Sequence, residues 1–200
     1  MKSFSLDQQN SDVASKIVVG LELISQVFRI NLWEIQKAYK ISPIQTQILI
    51  FIHYHKKDLC TITQLSKEFN LTKATISDSV RVLINKGYLH KEVDTTDTRM
   101  FYLSLTDEGF NLTEKFDKFS NILHSSVSRL NKKETDILFN SLVSVINDLQ
   151  TSGTITERRM CSKCQFYSEI DEETYHCSLM EKTLSRLDFR LDCSEFEIKK

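Results

Sequence analysis

From residue 13 to 39 apolar side chains recur at spacings of three and four: Ile17, Leu21, Ile24, Phe28, Leu32, Ile35 and Tyr39. That period draws a stripe along one face of a long helix. Ser42-Pro43 then marks a helix start, Ser as cap and Pro at the first helical position. The helix it opens, to about Tyr54, is apolar on most sides (Ile44, Ile48, Leu49, Phe51, Ile52), which predicts deep burial. Thr61-x-x-Gln64 is a capping-box pattern for a short helix ending near Phe69. Asn70-Leu71-Thr72 forms a turn, and Thr72 caps a helix over Lys73–Lys86 whose inner face is Ile76, Val80, Leu83 and Ile84. Gly87 sits where a left-handed C-terminal residue belongs. The period then shortens: 89–93 and 101–105 read as two strands of a hairpin around the polar stretch 94–100. Two helices close the body. Leu112, Phe116, Phe119, Leu123 and Leu130 line the first; Asn131 and Glu134 cap the second, which runs through Leu138, Leu142, Val145 and Leu149. Thr151-Ser-Gly-Thr154 reads as a linker.

With four Gly and one Pro in 200 residues, composition agrees with a mainly helical chain. No apolar run reaches the ~18 residues of a membrane span. The polar stretch Met1–Ser11 lacks the order of a secretory signal, so a cytoplasmic location and no membrane partner are the expectation. A formal net charge of −1 argues against a non-specific nucleic-acid binder. Charge is nonetheless placed unevenly. Residues 56–99 carry eight basic against six acidic side chains, and residues 151–200 eight against ten. Nucleophile–base pairs, phosphate loops and paired catalytic carboxylates do not stand out, so an enzyme is not expected.

Helix, short helix, turn, helix and two-stranded hairpin is the order of a winged helix-turn-helix. The second helix of such a pair buries one face and offers short polar side chains to the major groove of DNA. Here that outer face holds Ala74, Thr75, Asp78 and Arg81, with Thr72 and Lys73 at the N-terminal end near the phosphates. Arg99 at the hairpin tip is placed to enter a narrow minor groove. The run Leu71-Thr-Lys-Ala-Thr-Ile-Ser77, Leu83-Ile-Asn-Lys-Gly87-Tyr-Leu89, Asp94-x-x-Asp97-x-Arg99 and Leu103-x-Leu105-Thr106-x-x-Gly109 resembles the MarR family of transcriptional regulators over about residues 13–150. The resemblance implies a homodimer on double-stranded DNA, with a palindromic operator and first and last body helices interleaved between subunits. It implies DNA contacts from Thr72, Lys73, Thr75, Ser77, Asp78 and Arg81, and from Arg99 oriented by Asp97. Against the family pattern, Asp78 and Val82 stand where basic residues are common, Arg81 where an acid is, and Thr98 where a wing Arg is. Fewer phosphate contacts and a different base preference follow. The family often binds small acids or phenols, but nothing in the sequence identifies such a pocket. Cys60 reads as a small semi-buried residue rather than a reactive thiol.

The remaining four cysteines lie in the tail as Cys161-x2-Cys164, twelve residues to Cys177 and fifteen to Cys193. Such clustering in a cytosolic protein points to metal binding or redox chemistry. Structural Zn2+ is the commonest occupant of four-cysteine sites, usually held by two C-x2-C-like pairs. One pair with two solitary cysteines is the spread of iron–sulfur proteins, so a [4Fe-4S] cluster ranks ahead of Zn2+, and a reversible disulfide set ranks third. Cys161-Ser-Lys-Cys164-Gln-Phe, Cys177-Ser-Leu179 and the lone Cys193 also resemble high-potential iron–sulfur proteins over about thirty-five residues. His176 is a substitute ligand that four cysteines make unnecessary. Phe166, Tyr167, Tyr175, Phe189 and Phe196 would shield a cluster or form the small core of a zinc-stapled module.

The expectation is therefore a mainly α chain with a small β-wing. Residues 1–150 form a winged helix-turn-helix with long dimerisation helices, and 151–200 a small four-cysteine metal module. Its function is that of a dimeric sequence-specific regulator, redox- or metal-responsive if the module repacks against the dimerisation helices. The competing reading is an electron-transfer iron–sulfur protein that uses the winged helix as an interaction scaffold.

Overall fold

The computed structural model describes residues 3–93, 101–116, 121–156 and 158–199. A short helix that the polar N-terminal sequence did not suggest comes first. It is α1 (Leu6–Ser11), capped by Ser5, whose hydroxyl accepts from the Gln8 amide. It stops at Asp12, whose extended backbone and carboxylate cap α2 (Val13–Tyr39) through the amides of Ala14 and Ser15. Only the last turns of α2 join the main core, through Ile35 and Tyr39. Helix α3 (Pro43–Tyr54) opens on a full capping box, Ser42 and Gln45 exchanging side chain-to-backbone bonds. Ile48, Leu49, Phe51 and Ile52 are buried there, as the all-round apolar pattern demands.

A 3-10 turn (Lys57–Leu59) leads to α4 (Ile62–Glu68), capped by Thr61, and then to α5 (Lys73–Asn85), capped by Thr72. The turn between them works because Asn70 takes a left-handed backbone (φ 51°) and the Leu71 amide reaches back to the Ser66 carbonyl at 3.0 Å. Gly87 (φ 76°) ends α5 in the same way, with the Tyr88 amide bonded to Leu83 at 3.0 Å. Strands β1 (Leu89–Val93) and β2 (Phe101–Leu105) pair antiparallel, Leu89 opposite Leu105 and Val93 opposite Phe101. Leu89 and Leu103 point into the core with Ile41, Ile48, Leu49, Leu65, Ile76 and Leu83. Helix α6 (Asp107–Phe116) adds Leu112 and Phe116 to it.

The Leu105-Thr106-x-x-Gly109 run now has a physical reason. The Thr106 hydroxyl accepts from the Gly109 amide at 3.0 Å and donates to the Gly87 carbonyl at 2.5 Å, while its amide donates to Tyr88. A Cβ at Gly109 would lie 2.0 Å from the Tyr88 carbonyl oxygen. Only glycine lets the start of α6 sit on the wing so closely.

The single stripe expected over 107–130 falls on two described helices, α6 and α7 (Asn121–Val127), with residues 117–120 outside the described residues. Helix α8 (Lys132–Thr151) begins on the expected Asn131–Glu134 capping box. It includes Thr151, so the chain leaves helix one residue into the predicted linker, and Gly153 turns it with φ 70°. The tail contains strands that its sequence pattern did not mark. Strands β3 (Tyr167–Glu169), β4 (Tyr175–Cys177) and β5 (Lys182–Leu184) form an antiparallel meander. Tyr167, Tyr175 and Phe189 pack together with ring centroids 4.8–5.6 Å apart. Among the described residues no helix is long and apolar enough to cross a membrane.

Candidate nucleic-acid interface and cysteine centre

Helix α5 buries Ile76, Ser79, Val80 and Leu83 and leaves Thr72, Lys73, Thr75, Ser77, Asp78 and Arg81 exposed, a single polar face. Its N-terminal edge is ordered by side chains. The Thr72 hydroxyl accepts from the Thr75 amide at 3.1 Å and lies 2.9 Å from the Thr75 hydroxyl. One turn on, Arg81 donates to Asp78 in an exposed ion pair, so the acid faces the same solvent as the base and partly neutralises it. Ser77 and Arg81 share a groove with His90, Lys91 and Phe101, where α5 meets the wing. The sequence did not place His90 and Lys91 beside α5, because strand alternation alone does not show which helix a strand faces. At the wing base, Glu92 accepts from Lys57 at 2.5 Å, and this bond first, with Ser104 second, lowers its carboxyl to about 2. Asp97 and Arg99, the predicted minor-groove pair, lie outside the described residues.

Cys60 lies apart from the other cysteines, 1% exposed in the main core, and burial pushes its thiol up to about 11, an inert group. Cys161, Cys164, Cys177 and Cys193 all line one small cavity in the tail. Three pieces of chain bring them there. Cys161 opens a 3-10 turn, Cys164 follows it and bridges to Ile198, Cys177 ends β4, and Cys193 lies in the last segment. All are free thiols. The Arg190 amide donates to the Cys161 sulfur at 3.2 Å, and the Arg190 guanidinium lies 3.6 Å from the Cys193 sulfur. Among the described residues no three His, Cys, Asp or Glu side chains form a group that could hold one metal ion. His176 pairs across the sheet with Ser168 and Thr183 and does not line the cavity.

The tail docks on the winged helix through charges that sequence reasoning did not single out. Arg159, 9% exposed, donates to Asp192 through Nε (2.6 Å) and Nη2 (3.0 Å) and to Glu68 at the end of α4 through Nη1 (2.8 Å). Arg158 also donates to Glu68, His55 at the end of α3 lies 3.1 Å from Asp192, and Lys56 pairs with Glu195. Burial alone would raise the Asp192 carboxyl, but the bonds from His55 and Arg159 outweigh it and hold the group well below the usual range. The Arg158-Arg159 doublet before the first tail cysteine was the one visible signal. Its partners lie more than thirty residues away in either direction, which no local pattern reports. A second tail contact reaches α8, with the Arg186 guanidinium 3.5 Å from the Ser144 hydroxyl.

Helix-turn-helix, wing and a polar outer face on α5 define a winged-helix protein of the kind that presents one helix to DNA. Residues 39–100 match the model of the MarR family. The chain is similar to the HTH-type transcriptional regulator BilQ of Clostridioides difficile, 28% identical over 119 residues, which are 58% of this chain and 77% of BilQ. It is also similar to the regulator YwaE of Bacillus subtilis, 25% identical over 76% of this chain and 88% of YwaE. Among solved structures, MepR of S. aureus in complex with DNA superposes with a TM-score of 0.56 at 25% identity, covering 66% of this chain and 97% of MepR. The match to the family model is thus confined to the helix-turn-helix and the start of the wing, and both of these relatives are named as transcriptional regulators. About a third of this chain lies outside the match to MepR, and the iron–sulfur resemblance of 161–193 finds no support in these likenesses.

Proposed function

We propose that the chain is a homodimeric, sequence-specific regulator that binds a palindromic stretch of double-stranded DNA and senses the state of a centre held by its cysteines. Residues 1–150 form the DNA-binding and dimerisation unit and 151–200 the sensing module. The observation that carries the reading is the exposed polar face of α5, set beside the wing on a fold shared with a protein solved on DNA. Thr72, Lys73, Thr75, Ser77 and Arg81 meet the major groove, and Arg99, steered by Asp97, meets the minor groove. Asp78 lowers affinity for phosphate and contributes to base choice.

The dimer is supported by apolar side chains that the single chain leaves in water. Ile17, Leu21, Ile24 and Phe28 are 41–58% exposed along one stripe of α2, and Leu138, Val145 and Leu149 are exposed on α8. A second copy covering both stripes removes that surface from water at about 25 cal/mol per Å².

The module's line to DNA runs through Arg159 and Glu68 into α4, the helix that supports the reading helix, rather than through the dimerisation helices alone. Binding sites selected from a random DNA pool, followed by titration, test the reading. The wild type should select a two-fold site, and Arg99→Ala should weaken it by tenfold or more. Selection of no sequence, with Arg99→Ala indifferent, would favour the electron-transfer alternative.

A further inference from the structure

We infer that Lys91 takes a backbone phosphate of the DNA strand running along the wing side of α5, and that the ring of Phe101 holds it ready to do so. This contact rests on the DNA-binding half of the function above and adds to it a residue outside the helix-turn-helix. The affinity of the wild type for DNA tests that function, and the salt dependence of one exchange tests the contact, so the two can fail separately.

Alternation along β1 puts Leu89, Lys91 and Val93 on one face of the wing. In the ladder with β2, Lys91 stands opposite Leu103, so Phe101 is its diagonal neighbour on the same face. Leu89 and Leu103 anchor that face in the core, being 2% and 1% exposed. Lys91 is exposed where the face leaves the core. Its Nζ lies 4.4 Å from the centre of the Phe101 ring. The ring quadrupole attracts the ammonium, so the stem is laid along one course before any ligand arrives. Less side-chain freedom is then left to lose on binding.

The groove beside this pair is bounded by Ser77 and Arg81 of α5 and by Lys91 and Phe101 of the wing, with Val80 and Ile84 also lining it. Its charges are not equally committed. Arg81 is bonded to Asp78, and at the wing base Lys57 and His90 both engage Glu92. Among the described residues Lys91 pairs with the ring and with no carboxylate, which leaves the groove a positive charge for a ligand.

Dimensions identify that ligand. The major groove is about 12 Å wide and a helix with its side chains about 10–12 Å across, so a helix lying in it has a phosphate backbone along each flank. On the wing flank of α5 that backbone meets the groove of Lys91. A lysine ammonium is a compact point charge with three donors, suited to a phosphate oxygen and not to bidentate reading of a base edge. Base reading belongs to the outer face of α5, and the Lys91 contact fixes the register at which that face sits. It also offsets Asp78, the acid that neutralises Arg81 on the reading face.

The test uses the full chain with Lys91→Gln, Lys91→Arg and Phe101→Leu, titrated at several salt concentrations on the selected site and on a scrambled duplex of equal length. Lys91→Gln should weaken both duplexes by the same factor. It should also lower the slope of log K against log salt by about 0.9 per protomer, the mark of one lost phosphate. Lys91→Arg keeps the charge and should keep the slope. Phe101→Leu should weaken both duplexes and leave the slope, because the amine remains. In the free wild type the ring should shift the Lys91 ε-methylene protons upfield, and Phe101→Leu should abolish that shift. If that variant does not fold, the wild-type signal alone reads the pairing, and unshifted protons overturn the role of Phe101. A slope unchanged by Lys91→Gln in a protein that binds DNA overturns the contact and leaves the function above standing. Weakening confined to the selected site makes Lys91 a base reader and overturns it equally. A wild type that binds neither duplex overturns both.

Discussion

Replacing Arg159 by Met removes the charge that joins the tail to the helix-turn-helix while keeping most of the side chain's bulk over Phe51, whose ring centre is 5.1 Å from the guanidinium carbon. Three charge-assisted bonds are lost, two to Asp192 and one to Glu68. Such bonds contribute about 1.5–3 kcal/mol each in protected settings. The Asp192 arm must be discounted, since that side chain is 46% exposed and keeps His55 as a partner; about 0.5–1 kcal/mol is reasonable for a screened pair. The Glu68 arm joins two side chains each 11% exposed and is worth more, about 2 kcal/mol, although Arg158 retains part of it. Arg159→Met should therefore loosen the tail by about 2–3 kcal/mol. The reporter is hydrogen exchange at the Cys193 amide, which is bonded to the Arg159 carbonyl and opens when the tail undocks. A double-mutant cycle with Glu68→Gln isolates the arm to α4, and its coupling energy should be about 1–2 kcal/mol. Additive effects within about 0.5 kcal/mol would refute the claim that this pair connects the cysteine centre to the DNA-reading unit.

Further expectations follow from the same geometry. Asp78→Ala frees Arg81 and removes a negative charge from the reading face, so binding to non-specific DNA should strengthen and its salt slope steepen, as titrations at several ionic strengths would show. Gly109→Ala forces a methyl against the Tyr88 carbonyl, both being backbone-fixed, and should cost about 3 kcal/mol in urea unfolding; a loss under about 1 kcal/mol would mean that α6 can shift. Because the Asp192 carboxyl is held below its ordinary value of about 4, its stabilising contribution is complete above that pH and disappears as pH falls toward the folded value. The stability difference between wild type and Asp192→Asn should therefore be flat from about pH 5 to 8 and shrink below about pH 4. Phe28→Glu on the exposed stripe of α2 should turn a dimer into monomers by light scattering.

Local rules carried the body of this protein. Caps at Ser42, Thr61, Thr72 and Asn131, the left-handed stop at Gly87 and the shift from helical to alternating period placed α2 to α5, both wing strands and α8 nearly to the residue. Each signal is a contact between near neighbours in sequence, so a window of a dozen residues contains all of it. Where the competition was local but finely balanced, as at Ser5 and Asp12, a helix went unread. The cysteine clustering likewise pointed to four side chains that gather, and all four line one cavity. The sequence could not say which segments would carry the cysteines together, since that is set by the meander pairing β3, β4 and β5 and by the bridge from Cys164 to Ile198. Nor could it show that Glu68, His55 and Lys56 await the tail. Those pairs join residues 90 to 139 positions apart, and charge alone, being neither periodic nor directional, leaves no trace of its partner until the chain has folded.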